Sequence, residues 1–82
     1  MKKATGNVIR RHRERIDLDQ HEVGFLVYGI PPNRKNAAQQ RVAKVEKGIQ
    51  ALRVTDLAKY ADLYKINPCT LFEEILKEYN KL

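Results

Sequence analysis

The stretch Gln39–Gly48, with the sequence QQRVAKVEKG, decides the predicted fold. Val42 and Val45 are three residues apart, the spacing at which side chains meet on one face of a helix. Gly48 follows them, and glycine tolerates the left-handed conformation that commonly ends a helix. The stretch therefore predicts a helix over residues 37–47 that buries one apolar stripe.

The opposite side of this predicted helix is polar. Asn36 and Gln39 are three residues apart, the spacing of a reciprocal N-terminal cap, so Asn36 is expected to start the helix. The outer face carries Gln40, Arg41, Lys44 and Lys47, with Gln39 at its N-terminal flank. Glutamine can form two hydrogen bonds with an adenine edge, and arginine or lysine can bond O6 and N7 of guanine. These residue types favour a nucleic-acid-reading helix, and the alternative is an ordinary solvated surface.

Outward from this stretch, apolar residues recur at helical spacing and nothing alternates with period two. Four further helices are predicted: about 7–16, after Gly6; about 19–28, with Asp19 and Glu22 in a capping box; 56–64, capped by Thr55; and about 68–81, started by Asn67 and Pro68. Gly29–Asn36, with two consecutive prolines, is predicted to be a loop of eight residues. We expect an all-α, five-helix protein.

Composition limits the classes of protein that fit. A chain of 82 residues is expected to form one domain over residues 1–82. It is 43% hydrophobic and 32% charged, which is typical of a folded domain and not of a disordered chain. The single cysteine cannot form an internal disulfide, and no apolar run approaches the ~20 residues that cross a bilayer. We therefore expect a cytoplasmic protein with no membrane partner.

Charge is unevenly distributed along the chain. Residues 1–15 and 34–53 each contain six basic residues and one acidic residue, whereas residues 16–33 contain three acidic residues and no basic one. The net charge is +6. A fold that gathers the two basic segments on one face would attract a polyanion, most commonly nucleic acid.

No residues suited to catalysis or metal binding stand out. The chain has no serine, and nothing places a histidine beside Cys69, which is expected to be a small buried thiol. His12, His21 and Cys69 have no known metal-ligand spacing, and His12 lies on the apolar face of its predicted helix. We expect no enzyme activity, no metal and no cofactor.

The sequence resembles the phage-repressor and Cro-type helix-turn-helix DNA-binding domains, often called XRE-like. The resemblance covers about residues 6–76, and the matching segments are Leu18–Gly24, Gln39–Gly48, Leu57–Ala61 and Ile66–Phe72. The segment ending in Val45-Glu46-Lys47-Gly48 is the most specific of them. The resemblance implies a lambda-repressor-like fold and a transcriptional regulator of a prokaryote or phage that binds double-stranded DNA, such as a Cro-like repressor or the controller of a restriction–modification locus.

The resemblance also implies roles for individual residues. Gln20 would bind a phosphate at the N-terminus of its helix, and Arg13 and Glu46 would form a buried ion pair. The residues expected to contact bases are Gln39, Gln40 and Lys44, and those expected to bind DNA more generally are Asn36, Arg41 and Lys47.

The sequence departs from the family pattern between the second and third helices. A helix-turn-helix normally has a turn of about 3–4 residues, and the predicted loop here is twice as long. One hypothesis is that Arg34 and Lys35, together with Asn33, form a basic loop tip that contacts DNA. The alternative is a surface insertion without a function.

A single domain of this kind is expected to act as a homodimer on a two-fold operator. The predicted helix 68–81 is the candidate dimer interface because both of its sides are apolar, with Phe72 and Leu76 on one side and Leu71, Ile75 and Tyr79 on the other. One side would close the core of the single chain, and the other would meet the second copy. The alternative is a helix packed wholly into the single chain, with a frayed end. The alternative function is an antitoxin-like interaction module that binds a protein partner and contacts DNA only weakly.

Overall fold

The computed structural model describes residues 1–82 and contains five α-helices and no strand. The helices are α1 (Lys2–Arg15), α2 (Gln20–Tyr28), α3 (Lys35–Glu46), α4 (Val54–Tyr64) and α5 (Pro68–Lys81), with a short 3₁₀ helix at Pro32–Arg34. The all-α, five-helix prediction is confirmed. None of the helices combines the length and apolar character that crossing a membrane requires.

Several predicted helix ends are present. Asp19 and Glu22 form the capping box of α2, in which the Glu22 carboxylate accepts a hydrogen bond from the Asp19 backbone N–H at 2.9 Å. The Asn67 side chain caps α5 by accepting a hydrogen bond from the Cys69 backbone N–H at 2.8 Å. The expectation that the Cys69 thiol is buried is wrong, because Cys69 lies in the exposed first turn of α5. Gly48, just beyond α3, has a φ of 76°, the left-handed conformation predicted for it.

The predicted starts of α1, α3 and α4 are wrong. The helix α3 begins at Lys35, because the 3₁₀ turn leads directly into it, and Asn36 lies inside the helix rather than capping it. The connection between α2 and α3 is therefore Gly29–Arg34, six residues instead of eight. Similarly, Thr55 lies inside α4, whose N-cap is Arg53.

Gly6 was predicted to precede the first helix, but it lies in the middle of α1 and is buried. A Cβ atom at this position would stand 2.5 Å from the backbone oxygens of both Val45 and Glu46. Glycine therefore allows α1 to pass close to the C-terminal end of α3, which outweighs its low helix propensity.

All helices except α3 contribute at least two side chains to one apolar core, and α3 contributes Val42. The core residues are Ala4, Val8, Ile9, Val23, Val27, Val42, Tyr60, Ala61, Tyr64, Leu71 and Ile75. The predicted burial of Val42 and Val45 is confirmed. The Tyr64 hydroxyl donates to the Ile9 backbone oxygen at 3.1 Å, and burial raises the pKa of this hydroxyl above its ordinary value.

One side of α5 packs in the core of the single chain, as expected, and this removes Leu71 and Ile75 from the residues predicted for the dimer interface. Leu71 and Ile75 are 0% and 2% exposed because they pack in the core of the single chain, so they are not available to a second copy. Phe72 and Tyr79 remain about half exposed, at 47% and 50%, and Leu76 is exposed beside them. On α5, this second set is the apolar surface that remains for an interface.

Polar contacts fasten α5 to α1. Glu78 accepts hydrogen bonds from Asn7 at 3.1 Å and from Arg11 at 2.9 Å. His12 is buried, as predicted, and its Nε2 lies 2.7 Å from a Glu74 oxygen. Because Arg15 can only donate to Nδ1 of His12, at 3.0 Å, the ring proton is on Nε2 and points to Glu74.

Candidate nucleic-acid interface

A buried ion pair joins the end of α1 to the end of α3. The Arg13 Nε and its terminal nitrogen donate to the two Glu46 oxygens at 2.6 and 3.0 Å, and another Arg13 nitrogen donates to the Leu18 backbone oxygen at 2.9 Å. The Glu46 side chain is only 2% exposed. The hydrogen bond to Glu46 is the main cause that raises the pKa of Arg13. The pair predicted from the family resemblance is present, and it fixes how α3 sits against α1 and the start of α2.

Gln20, the first residue of α2, belongs to the same network. Its amide nitrogen donates to a Glu46 oxygen at 3.1 Å. One of its two amide hydrogens is therefore engaged within the protein, and the other remains for a ligand. The side chain is held in place at a helix N-terminus, where the helix dipole favours an anion.

An open cleft of about 520 Å³, lined only by polar and charged residues, lies where the N-terminal ends of α2 and α3 meet. It is lined by Arg13, Asp19, Gln20, His21, Lys35 and Gln39, and we call it the polar cleft. The structure thus brings together three predicted DNA-binding residues, Gln20, Lys35 and Gln39, that come from two different helices. Arg34 ends the 3₁₀ turn and Lys35 begins α3, so the two basic residues predicted for a loop tip lie at the junction of these elements.

The outer face of α3 consists of exposed side chains on the side opposite its buried stripe. Asn36, Gln40 and Lys44 follow one another at four-residue spacing, and Lys47 lies just beyond the helix end. Gln39 is displaced toward the polar cleft. The face is therefore free to contact a surface, and its side chains are amides and ammonium groups with no acidic group among them.

Arg41 is separate from the outer face. It is half buried, and its guanidinium carbon lies 4.6 Å from the centre of the Tyr28 ring, at the end of α2. Burial is the main cause that raises the pKa of the Tyr28 hydroxyl, so the ring that faces the guanidinium is neutral. The helical spacing of the sequence places Arg41 with the exposed residues. The contact with Tyr28 could not be predicted, because it depends on how α2 and α3 pack.

A second group that sequence reasoning missed is Asp19, His21 and Glu22, whose potential metal-ligand atoms lie within 4.8 Å of one another. The sequence offered Asp19 and Glu22 only as a helix cap, and the structure shows Glu22 in that role. A cation here would oppose the positive end of the α2 dipole. These three residues therefore form the start of α2. Their carboxylates limit where an anion can enter the polar cleft.

No protein-family model, curated protein or solved structure matches this chain.

Proposed function

We propose that this chain is a sequence-specific DNA-binding transcriptional regulator. The observation that carries the proposal is the exposed outer face of α3, Asn36, Gln40 and Lys44, beside a polar cleft at two helix N-termini. An α-helix with its side chains is about 10–12 Å across, and the major groove is about 12 Å wide, so α3 fits the groove. The resemblance of the sequence to XRE-like domains also supports the placement of α3 in the major groove.

In this arrangement the two regions have different tasks. Gln40 and Lys44 contact base edges, because amides and ammonium groups can distinguish adenine and guanine there. The second amide hydrogen of Gln20 and the Lys35 ammonium group bind a backbone phosphate at the polar cleft. The Arg13–Glu46 pair keeps the two regions at a fixed distance, so that one duplex can contact both.

The first experiment is selection of duplexes from a random library, followed by titration of the selected duplex and a shuffled one at two salt concentrations. We expect Gln40→Ala to weaken binding to the selected duplex by about 1–3 kcal/mol and to relax specificity at one position. Lys47→Ala should weaken both duplexes alike and lower the salt dependence by about one unit of slope. The control is Asn80→Ala, an exposed amide on α5. Equal binding of both duplexes by the unmodified protein would contradict sequence reading.

A homodimer is part of the proposal, and the structure limits the surface that it can use. Phe72, Leu76 and Tyr79 form an exposed apolar stripe on α5, which continues into an apolar groove of about 140 Å³ next to Phe72. The groove is lined by Met1, Thr5, Leu52, Val54, Leu57, Phe72 and Ile75, and Val54 is 83% exposed. Burial of this stripe against a second copy would bring two α3 helices to the two halves of an operator.

We expect Phe72→Glu to shift the protein to a monomer in sedimentation measurements and to weaken binding to a two-fold site while half-site binding persists. A charge in an apolar interface is costly to bury, whereas the same charge in the exposed monomer is not. Glu73→Gln, an exposed neighbour on α5, is the control. If the unmodified protein sediments as a monomer at all concentrations, the dimer proposal is wrong.

The same apolar groove favours a second candidate, an antitoxin-like module that binds a protein partner. Exposed apolar surface of this kind is typical of interaction sites. The two candidates differ in which face is essential. A regulator loses sequence specificity when Gln39, Gln40 and Lys44 are replaced by alanine, whereas a partner-binding module keeps its partner.

A further inference from the structure

Arg41 stacks on Tyr28, and Tyr28 in turn contacts Tyr60. Its guanidinium lies over the Tyr28 ring, and the Tyr60 hydroxyl donates to the Tyr28 hydroxyl oxygen at 3.3 Å. The two rings also meet edge to face, with their centres 6.0 Å apart. Tyr60 is completely buried in α4, so it fixes the position of Tyr28, and Tyr28 in turn holds Arg41.

The contact between Arg41 and Tyr28 lies on the flank of α3 opposite the polar cleft. Gln39 lies on the flank of α3 that meets the polar cleft, and Arg41 lies on the opposite flank, beside the end of α2. A helix that fills the major groove places its two flanks next to the phosphate backbones of the two strands. With α3 in the major groove, the polar cleft would face one strand and the guanidinium of Arg41 would face the other.

We propose that Tyr28 is a positioning residue for Arg41, and that the held guanidinium binds a phosphate of the strand opposite the one at the polar cleft. This inference rests on the proposed function. Arginine bonds phosphate through a planar fork, and a fork that is already oriented loses less side-chain freedom on binding. A stacked guanidinium still presents its edge nitrogens to a ligand, so stacking on Tyr28 and phosphate binding are compatible.

The test is a double-mutant cycle with Tyr28→Leu, Arg41→Ala and the combined variant, measured on the selected and the shuffled duplex. We expect Tyr28→Leu to weaken both duplexes about two- to fivefold, the factor that corresponds to an exposed cation–π contact. In the Arg41→Ala background the same change should have no further effect. Tyr28→Phe keeps the ring and should keep the affinity, which separates stacking from the hydroxyl contact with Tyr60.

A second measurement examines the free protein. The Arg41 side-chain proton resonances should be shifted upfield by the Tyr28 ring, the shift should persist in Tyr28→Phe, and it should vanish in Tyr28→Leu. Circular dichroism of each variant checks that the helices are intact. The inference is overturned if Arg41 shows no upfield shift, or if Tyr28→Leu weakens DNA binding equally with and without Arg41. Failure of the unmodified protein to bind any duplex would instead refute the proposed function together with this inference.

Discussion

Replacement of Glu46 by alanine is expected to destabilise the fold by about 3–5 kcal/mol, because it leaves the Arg13 guanidinium buried without its counter-charge. Glu46 accepts hydrogen bonds from Arg13 and Gln20, so both donors lose their partner at once. For a domain of this size each kcal/mol lowers the midpoint of thermal unfolding by about 4–8 °C. We therefore expect a fall of at least ~12 °C, measured by circular dichroism.

The control for this prediction is Arg11→Ala, which breaks the pair between Arg11 and Glu78 at 2.9 Å. The Arg11 side chain is exposed, so water replaces most of the interaction and the midpoint should change far less. Glu46→Gln should fall between the two variants, since the amide keeps the shape but lacks the charge. A Glu46→Ala midpoint no lower than that of Arg11→Ala would show that the buried pair does not hold α1 to α3.

The sequence predicts well those parts of the fold that depend on neighbouring residues. The starts of α2 and α5 follow from the Asp19–Glu22 and Asn67–Pro68 patterns, because each cap is formed by side chains within three residues of the backbone they bind. The start of α3 was misplaced because no side chain caps it. The 3₁₀ turn of the backbone sets this boundary instead. Asn36 is of a residue type that often caps a helix, but it does not cap α3.

Features that depend on the packing of distant elements were less predictable. Both sides of α5 are apolar, so the sequence predicted one core side and one exposed side but could not show that Leu71 and Ile75 would be the ones in the core while Phe72 stayed exposed. The choice depends on the position of α1, which α5 meets through Glu74 and Glu78. Likewise, the helical spacing of α3 gave its outer face but not the contact of Arg41 with Tyr28, which requires the packing of α2 against α3.

Gly24→Ala should destabilise the protein by about 2 kcal/mol, although alanine favours a helix by up to ~1 kcal/mol over glycine. The sequence shows only the propensity cost of Gly24, whereas the structure shows its reason. A Cβ atom at Gly24 would stand 2.5 Å from the Ala38 backbone oxygen and 2.7 Å from the Ala38 Cβ atom. These atoms belong to the backbone and first side-chain carbon of α3, so only a movement of α3 away from α2 can relieve the clash.

The control Ala58→Gly measures the propensity difference alone, because Ala58 is exposed in α4. It should lower the free energy of unfolding by about 1 kcal/mol, so that alanine is favoured at residue 58 and glycine at residue 24. Separation of the helices would also move the outer face of α3 away from the polar cleft. DNA binding by Gly24→Ala, at a temperature where it is folded, should therefore be weaker on the selected duplex than that of the unmodified protein. A more stable Gly24→Ala variant with unchanged DNA binding would mean that α2 and α3 do not need to lie this close.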